Sequence, residues 1–508
     1  MKMRSTIDTT VAVKLDIVDF LYRSSFWMSS EEIADRLKLD KKTIHKYTNE
    51  LSEDILDFNK ESIVLESIKG KGIKLQVTDS NDYRIFLQFL MDDTLTINIV
   101  KAIALKKGNS LVTLASDNFV SESTVRRKIQ QLRDYIDLMD ISIISRSGYY
   151  SIVGDEKEIR LFLFLVFWKL YRGRAWPFTG IAQQKMLDLV EAFSQTSELR
   201  LKEINKQKIA FLLAVCLFRF QKNETVDLSQ IDSKLLQLCE IIDKESTISQ
   251  ILYTHYRLTK EESIFLILLG LTRPSMYFFP IGNLTVIDIC KELSLDYYMT
   301  TKTILTELLA HFQVEAPPEI YTKIFNTLLA NHLYLLMNPG THYDNNGYYI
   351  YPVISSSYPV LISKIKEFIH SKVPKELLQE GHNTELLTSF YFFTLSQLID
   401  VKRFEPEINI YFESDLNLIA EEAIVKQISS YLTNTYNVYF YTQLAEINQD
   451  KIDLIVSTSA VPTLIELQDL SIPHVNVYPE VLRKELETIT EAITQVLEKK
   501  YALLQLAN

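Results

Sequence analysis

The sequence predicts a multidomain, mostly α protein: two N-terminal winged helix-turn-helix domains, two all-helical modules and a C-terminal α/β domain. Three observations carry that reading. A helix-turn-helix pattern occurs twice, shifted by 81 positions. Helical periodicity then runs almost unbroken from about 156 to 400. The last hundred residues alternate strand-like and helical segments, the mark of a small parallel α/β domain. At roughly 100–200 residues per domain, a chain of 508 residues has room for several such units.

The repeat comes first. Residues 33–51 read IADRLKLDKKTIHKYTNEL, and residues 114–132 read LASDNFVSESTVRRKIQQL. Ile33 matches Leu114, Ala34 matches Ala115 and Leu39 matches Val120. Thr43 matches Thr124, Ile44 matches Val125 and Leu51 matches Leu132. Each copy is a helix, a short turn and a second helix. Ser29 with Glu32 makes a capping box, in which side chain and backbone satisfy each other's helix-end groups. Asp40 is a good N-cap for the next helix, and Ser121 takes its place in the second copy. An amphipathic helix precedes each, at 11–24 and 95–107. An alternating segment with a Gly-centred turn follows each. The first, SIVLESIKGKGIKLQV, turns at Gly70–Gly72, and the second, ISIISRSGYYSIV, near Gly148. Helix, helix-turn-helix, hairpin is the order of a winged helix, which assigns domains to 1–80 and 81–155.

Segments 156–172, 183–195, 200–222, 230–243, 246–257 and 259–272 have helical periodicity, and Thr259 with Glu262 forms a further capping box. The turn-rich stretch RPSMYFFPIGN (273–283) divides the helical region into modules at 156–283 and 284–402. In the second, helices are expected at 284–294, 299–312, 317–337, 355–371 and 382–400, with a polar loop at 338–347. Residues 403–508 hold four strand signals, INIYFES (408–414), VYFYT (438–442), DLIVST (453–458) and HVNVYP (474–479). Helices are expected at 416–433, near 461–470 and at 480–502.

Charge and composition narrow the function. The formal net charge is -11, which disfavours indiscriminate coating of nucleic acid. Residues 1–155 are nearly neutral, with 22 Lys+Arg and 23 Asp+Glu; the remaining 353 hold 32 and 42. A duplex contact is therefore easier to build at the front. The three cysteines, Cys216, Cys239 and Cys290, cannot make a disulfide framework or a zinc site alone, and read as buried small hydrophobes. The opening residues carry Asp16 and Asp19 and lack a secretory apolar stretch. The longest apolar runs, Leu161–Trp168 and Ile264–Leu271, fall far short of the ~20 residues a membrane span needs. A reduced, cytoplasmic protein with no membrane partner is expected. There is no GxGxxG after a strand, no phosphate-loop pattern and no HExxH, so no cofactor, metal or enzymatic activity is expected. KGKG at 69–72 reads as a wing tip, and the GYYIYP cluster at 347–352 as aromatic packing.

A helix-turn-helix places its second helix in the major groove. The exposed face of the first such helix offers Lys41, Lys42, Thr43, His45, Lys46 and Asn49. The second offers Ser123, Thr124, Arg126, Arg127 and Lys128. Arg pairs bidentately with guanine edges and Asn with adenine, whereas Lys more often meets phosphate. Lys69, Lys71 and Lys74 on one wing and Arg146 on the other suit the backbone or minor groove. The competing reading is a pair of protein-docking modules with solvated charges; two basic copies in tandem favour DNA.

The segment NIVKAIALKKGNSLVTLASDNFVSESTVRRKIQQL resembles the second helix-turn-helix of the Mga/RofA-like family of Gram-positive transcriptional regulators. The first unit resembles the small winged domain before it. The helical modules resemble the family's phosphotransferase-system regulation domains, and the last domain resembles an enzyme IIB. The resemblance implies a regulator of promoter DNA, usually an activator of surface-structure and virulence genes, that acts as a homodimer. It also implies histidine phosphorylation by a phosphocarrier protein. His332, in NTLLANHLYLLMN, and His255, in QILYTHYRLTKEE, best fit that role, although a polar residue packed in a helix bundle is the better-supported reading of each. The first module departs from the pattern, since AFLLAVCLFRFQKNE has Phe218 and Arg219 and no histidine. His311, His342, His370 and His382 have less support. An active enzyme IIB has a Cys after its first strand, where this chain reads Glu413-Ser414-Asp415, so the domain is expected to be catalytically silent. Two other readings stay open, a phosphotransfer protein and an RNA-binding antiterminator. The missing Cys speaks against the first. The winged pair speaks against the second, because the deep, narrow major groove of A-form RNA excludes a recognition helix.

Overall fold

The computed structural model describes residues 9–24, 26–92, 94–105, 109–136, 141–196, 201–338, 341–378, 383–459, 472–480 and 483–507. They form two compact units. One runs to Thr301 and takes in Leu329–Tyr348; the other is Lys302–Leu328 with the chain from Tyr349 onward.

The first unit opens with α1 (Thr9–Arg23), α2 (Ser30–Leu37), α3 (Lys41–Phe58) and the hairpin β1 (Ile63–Ile68) and β2 (Gly72–Val77). Its sequence caps are real. Ser29 Oγ accepts the Glu32 N–H at 3.1 Å, and the Glu32 carboxylate accepts the Ser29 N–H at 2.7 Å. Asp40 accepts from the Thr43 N–H at 2.8 Å. Ile17, Val18 and Leu21 of α1 meet Ile33, Ile44, Leu51 and Ile73 in one core. Lys14 reaches from α1 to Asp54 (2.8 Å) and Glu50 (3.2 Å) of α3. Burial pulls the Lys14 pKa down, but these two carboxylates outweigh it and the net shift is upward. At Gly72 (φ +111°) a Cβ would stand 2.4 Å from the Met28 carbonyl oxygen. Met28 bridges to Ile73 there, adding a short third rung to the wing.

The pattern then repeats, after a helix that the periodicity reading left unassigned, α4 (Ser80–Asp92). Next come α5 (Leu95–Leu105), α6 (Leu111–Asp117), α7 (Glu122–Ile136), β3 (Ile141–Arg146) and β4 (Tyr149–Gly154). Ser110 caps α6 through the Thr113 N–H (3.0 Å), and Ser121 caps α7 through the Thr124 N–H (3.2 Å). These caps sit 81 positions after Ser29 and Asp40. So does the left-handed residue of the turn, Lys38 (φ 55°) in one copy and Phe119 (φ 54°) in the other. Ser110 bridges to Tyr149 much as Met28 bridges to Ile73. The second wing closes on Ser147 and Gly148, both at positive φ, the tight two-residue turn that matches strand twist.

α4 packs on the first winged domain. Tyr83, Phe86 and Leu90 are buried in that domain's core, Tyr22 stacks on Tyr83 at 3.9 Å, and Phe58 lies against Phe86. Their three- and four-residue spacing is the helical signal that could have revealed it.

α8 (Glu156–Tyr171), α9 (Gln183–Thr196), α10 (Glu203–Gln221), α11 (Ser233–Glu245), α12 (Thr247–Tyr256) and α13 (Lys260–Leu271) follow, close to the expected positions. A charge network that the sequence did not reveal joins three of them. Arg160 bonds to Glu156 (2.9 Å) and bidentately to Glu262 (2.6 and 3.0 Å), and Arg219 bonds bidentately to Glu156 (2.9 and 2.6 Å). A 3₁₀ turn at Pro274–Phe278, the two-residue strands β5 (Pro280–Ile281) and β6 (Leu284–Thr285), and α14 (Val286–Glu292) pack on α11 and α13. That packing keeps the chain up to Thr301 with the first unit. α15 (Asp296–His311) and α16 (Pro318–Met337) come next.

In the second unit, the helix expected at 355–371 is two, α17 (Tyr351–Ser357) and α18 (Pro359–Lys372), broken where Pro359 starts a new helix. α19 (Lys375–Leu378) and α20 (Thr384–Ser396) follow. Then β7 (Ile408–Glu413), α21 (Leu418–Leu432), β8 (Val438–Tyr441), β9 (Leu454–Ser457), β10 (His474–Asn476) and α22 (Arg483–Ala507) build a four-stranded parallel sheet in the order β10-β9-β7-β8. Ile408, Ile410 and Phe412 alternate along β7 onto one face, where Ile424 and Ile428 of α21 and Ile489 and Ile493 of α22 cover them. The helix expected near 461–470 lies outside the described residues, as does His382.

Candidate nucleic-acid interface

The two recognition helices carry different charge. On α3, Lys41, Lys42, His45, Lys46 and Asn49 are exposed, while Thr43 is half-buried beside Asp40. The Lys41 ammonium is 2.5 Å from Glu31 and that of Lys46 is 3.9 Å from Glu50. Glu31 is held below its usual pKa by Lys41, Glu32 by the Ser29 backbone N–H and Asp40 by the Thr43 hydroxyl. These acids stay ionised at helix N-termini, where their charge complements the helix dipole. On the first wing, Lys69 is exposed at the tip, Lys71 lies over the Trp27 ring at 4.2 Å, and Lys74 is half-buried.

On α7, Ser123, Arg126 and Arg127 are exposed and Thr124 is half-buried. Ser121, Ser123 and Thr124 form a hydroxyl cluster at its start (2.8 and 2.9 Å). Among the described residues, neither arginine meets an acid within ion-pair distance, and the same holds for Arg146 beside the second wing's turn. Arg133, further along α7, is tied to the Ile143 carbonyl at 2.7 Å. Lys128 does not share the exposed face: it is only 8% exposed. It follows Val125 by three positions, which turns it toward the buried stripe of Val125, Ile129 and Leu132. The turn before α7 holds a residue that no charge pattern marks, Phe119, 98% exposed in its left-handed conformation.

The two histidines part company. His255 is exposed at the end of α12. His332 is fully buried, and burial pushes its pKa down to about 3. Its Nδ1 lies 2.8 Å from the Thr301 hydroxyl. That hydroxyl donates to the Tyr297 carbonyl (2.7 Å), so His332 Nδ1–H is the donor. A phosphocarrier protein has no route to this ring in this conformation, which corrects the expectation for His332. The turn after β7 holds no thiol; Ser414 donates to Glu421 (2.6 Å) and Thr458 to Asp415 (3.2 Å), so its surroundings are acidic. All three cysteines are buried, and burial pushes Cys216 and Cys290 up to about 12. Among the described residues no cluster of His, Cys, Asp or Glu could hold a metal ion, and no helix is long and apolar enough to cross a membrane.

A mostly helical chain with a basic helix-turn-helix has the geometry of a DNA-binding module. Comparison with known proteins gives the kind. Residues 79–167 match the Mga helix-turn-helix domain, from α4 into α8. A putative trans-acting regulator of Streptococcus pneumoniae serotype 4 is 19% identical over 91% of this chain and 94% of its own length. The capsule synthesis positive regulator AcpA of Bacillus anthracis is 22% identical over 44% of this chain. The anthrax toxin expression trans-acting positive regulator of the same organism is 24% identical over 42%. These last two matches span less than half of each relative, 45% and 43%. The chain thus carries a Mga helix-turn-helix domain and is similar to trans-acting positive regulators.

Proposed function

We propose that this chain activates transcription by binding promoter DNA, with the second winged helix as the principal reader. The observation that carries this is the exposed pair Arg126 and Arg127 on α7, without an acid at ion-pair distance among the described residues, joined by Arg146 beside the wing turn, within the span matched by the Mga domain. Two exposed guanidiniums on a recognition helix suit guanine edges or phosphates, with Ser123 and Thr124 beside them for hydroxyl contacts. The first winged helix supplies backbone contacts through Lys42, Lys46, Lys69, Lys71 and Lys74, with His45 and Asn49 nearer the bases. Lys41 contributes less, because Glu31 already holds its charge. The positive sign of the regulation is supported by the names of the relatives.

The chain works as a homodimer, so that a two-fold axis sets the half-site spacing. Exposed Leu418 and Ile419 at the start of α21 support self-association of the enzyme IIB-like domain. The helical modules act as phosphotransferase-system regulation domains, with His255 the accessible candidate for a phosphocarrier protein.

The test is genome-wide footprinting, then gel-shift titration of the sites found, with wild type, Arg126→Ala with Arg127→Ala, and Lys41→Ala. Each lost arginine contact should weaken specific sites by about 1–3 kcal/mol. Lys41→Ala should change affinity little. A double variant that footprints and titrates like wild type removes the basis of the proposal.

A further inference from the structure

The first helical module contains a cavity of about 150 Å³. Its wall comes from α9, α10, α12, α13 and the 3₁₀ turn after them, with Phe193, Leu213, Leu252, Ile267 and Met276 among its apolar lining. A mostly apolar cavity of this size has room for a molecule about as large as benzene. Three of the serines on the wall, Ser246, Ser249 and Ser263, already have partners. The Ser263 hydroxyl donates to Asp243 at 2.6 Å, and the Ser249 N–H donates to Ser246 at 3.2 Å.

One wall residue breaks the pattern. Arg273 is half-buried, and its guanidinium donates to two uncharged oxygens, the Asn345 carbonyl (2.9 Å) and Asn346 Oδ1 (3.0 Å). The same Asn346 oxygen also accepts from the buried Lys208 ammonium. One neutral amide oxygen thus serves two cations. Asp344 acts on both only through space. Burial lowers the pKa of Arg273; burial and the repulsion of Arg273 bring Lys208 down to about 7. Buried guanidiniums are ordinarily matched by a carboxylate.

We infer that this cavity binds a small apolar carboxylic acid, its hydrocarbon body among the side chains of α9, α10, α12 and α13 and its carboxylate on Arg273. The ligand fills the apolar void, and its charge supplies Arg273 with the directly bonded carboxylate that Asp344, acting only through space, does not. By the benzene comparison it has roughly six to nine heavy atoms. A planar guanidinium matches a carboxylate in two parallel hydrogen bonds, so the acid is preferred over its alcohol.

Hexanoate and 1-hexanol, titrated calorimetrically into the full chain without DNA, test this independently of the DNA-binding reading. Hexanoate is expected to saturate one site, and 1-hexanol to bind about tenfold or more weakly, a gap of ~1.4 kcal/mol. Leu213→Trp should abolish hexanoate binding by filling the cavity. Arg273→Met should bring hexanoate down to the affinity of the alcohol. The wild-type comparison of acid with alcohol stands even where a variant fails to fold. No saturable hexanoate binding overturns the inference. So does equal affinity for the two probes, or a folded Leu213→Trp variant that binds hexanoate normally.

Discussion

His332 makes the first unit sensitive to acid in a way that can be calculated. In the folded chain its ring is buried and stays neutral down to about pH 3. In the unfolded chain it takes a proton near the ordinary value of ~6.5. The folded pKa is the lower one, so the unfolded state binds more protons between these limits. The contribution of His332 to stability is therefore full above about pH 6.5 and is lost as the pH falls toward about 3. Going from pH 7 to pH 5 should remove about 2 kcal/mol. Asn at this position keeps a polar atom near the Thr301 hydroxyl and does not titrate. The assay is urea unfolding followed by tryptophan fluorescence at pH 7 and pH 5, for wild type and His332→Asn. Trp27, Trp168 and Trp176 all lie in the unit that holds His332, so the signal reports the right transition. The stability gap between the two proteins should change by about 2 kcal/mol between the two pH values, to the disadvantage of wild type in acid. An unchanged gap would refute the reasoning.

Three further substitutions probe other parts of the first unit. Phe86→Ala removes a fully buried ring from the seam between α4 and the first winged domain, and should cost about 3–5 kcal/mol in urea unfolding. Glu262→Gln leaves Arg160 short of a counter-charge in a buried network and should cost about 3–5 kcal/mol. Replacing both by apolar residues of similar volume should cost less, and thermal melts of the single and paired variants distinguish the outcomes. Phe119→Gly relieves a left-handed backbone at an exposed site and should raise stability by up to about 1 kcal/mol; a lower melting temperature would contradict this.

The winged domains were legible because their signals are local and duplicated. Caps at Ser29, Asp40 and Ser121, a Gly-centred wing in each copy and matched apolar positions all depend on near neighbours in sequence. The parallel strands of the last domain were equally plain from β-branched and aromatic runs. α4 escaped because its apolar residues sit among Asp82, Arg84, Asp92 and a neighbouring turn, and only the partner core explains them. Lys128 was misplaced because a basic residue next to Arg126 and Arg127 reads as exposed until the helix's buried stripe is known. The Arg160 network joins residues up to 102 positions apart, and no local pattern connects Glu262 to it. The burial of His332 is likewise a property of the bundle around it, since a histidine on a long helix looks the same whether it faces water or the core.

α4 has a mechanical consequence. The two heads are joined by a helix whose one side is locked into the first head's core. The segment that follows the first wing is therefore part of that head's packing and not a free tether. One residue inserted after Leu90, the last α4 side chain in that core, would turn the helix beyond it through about 100° and advance it by ~1.5 Å. Such an insertion would leave each head folded while putting them out of phase along a double strand.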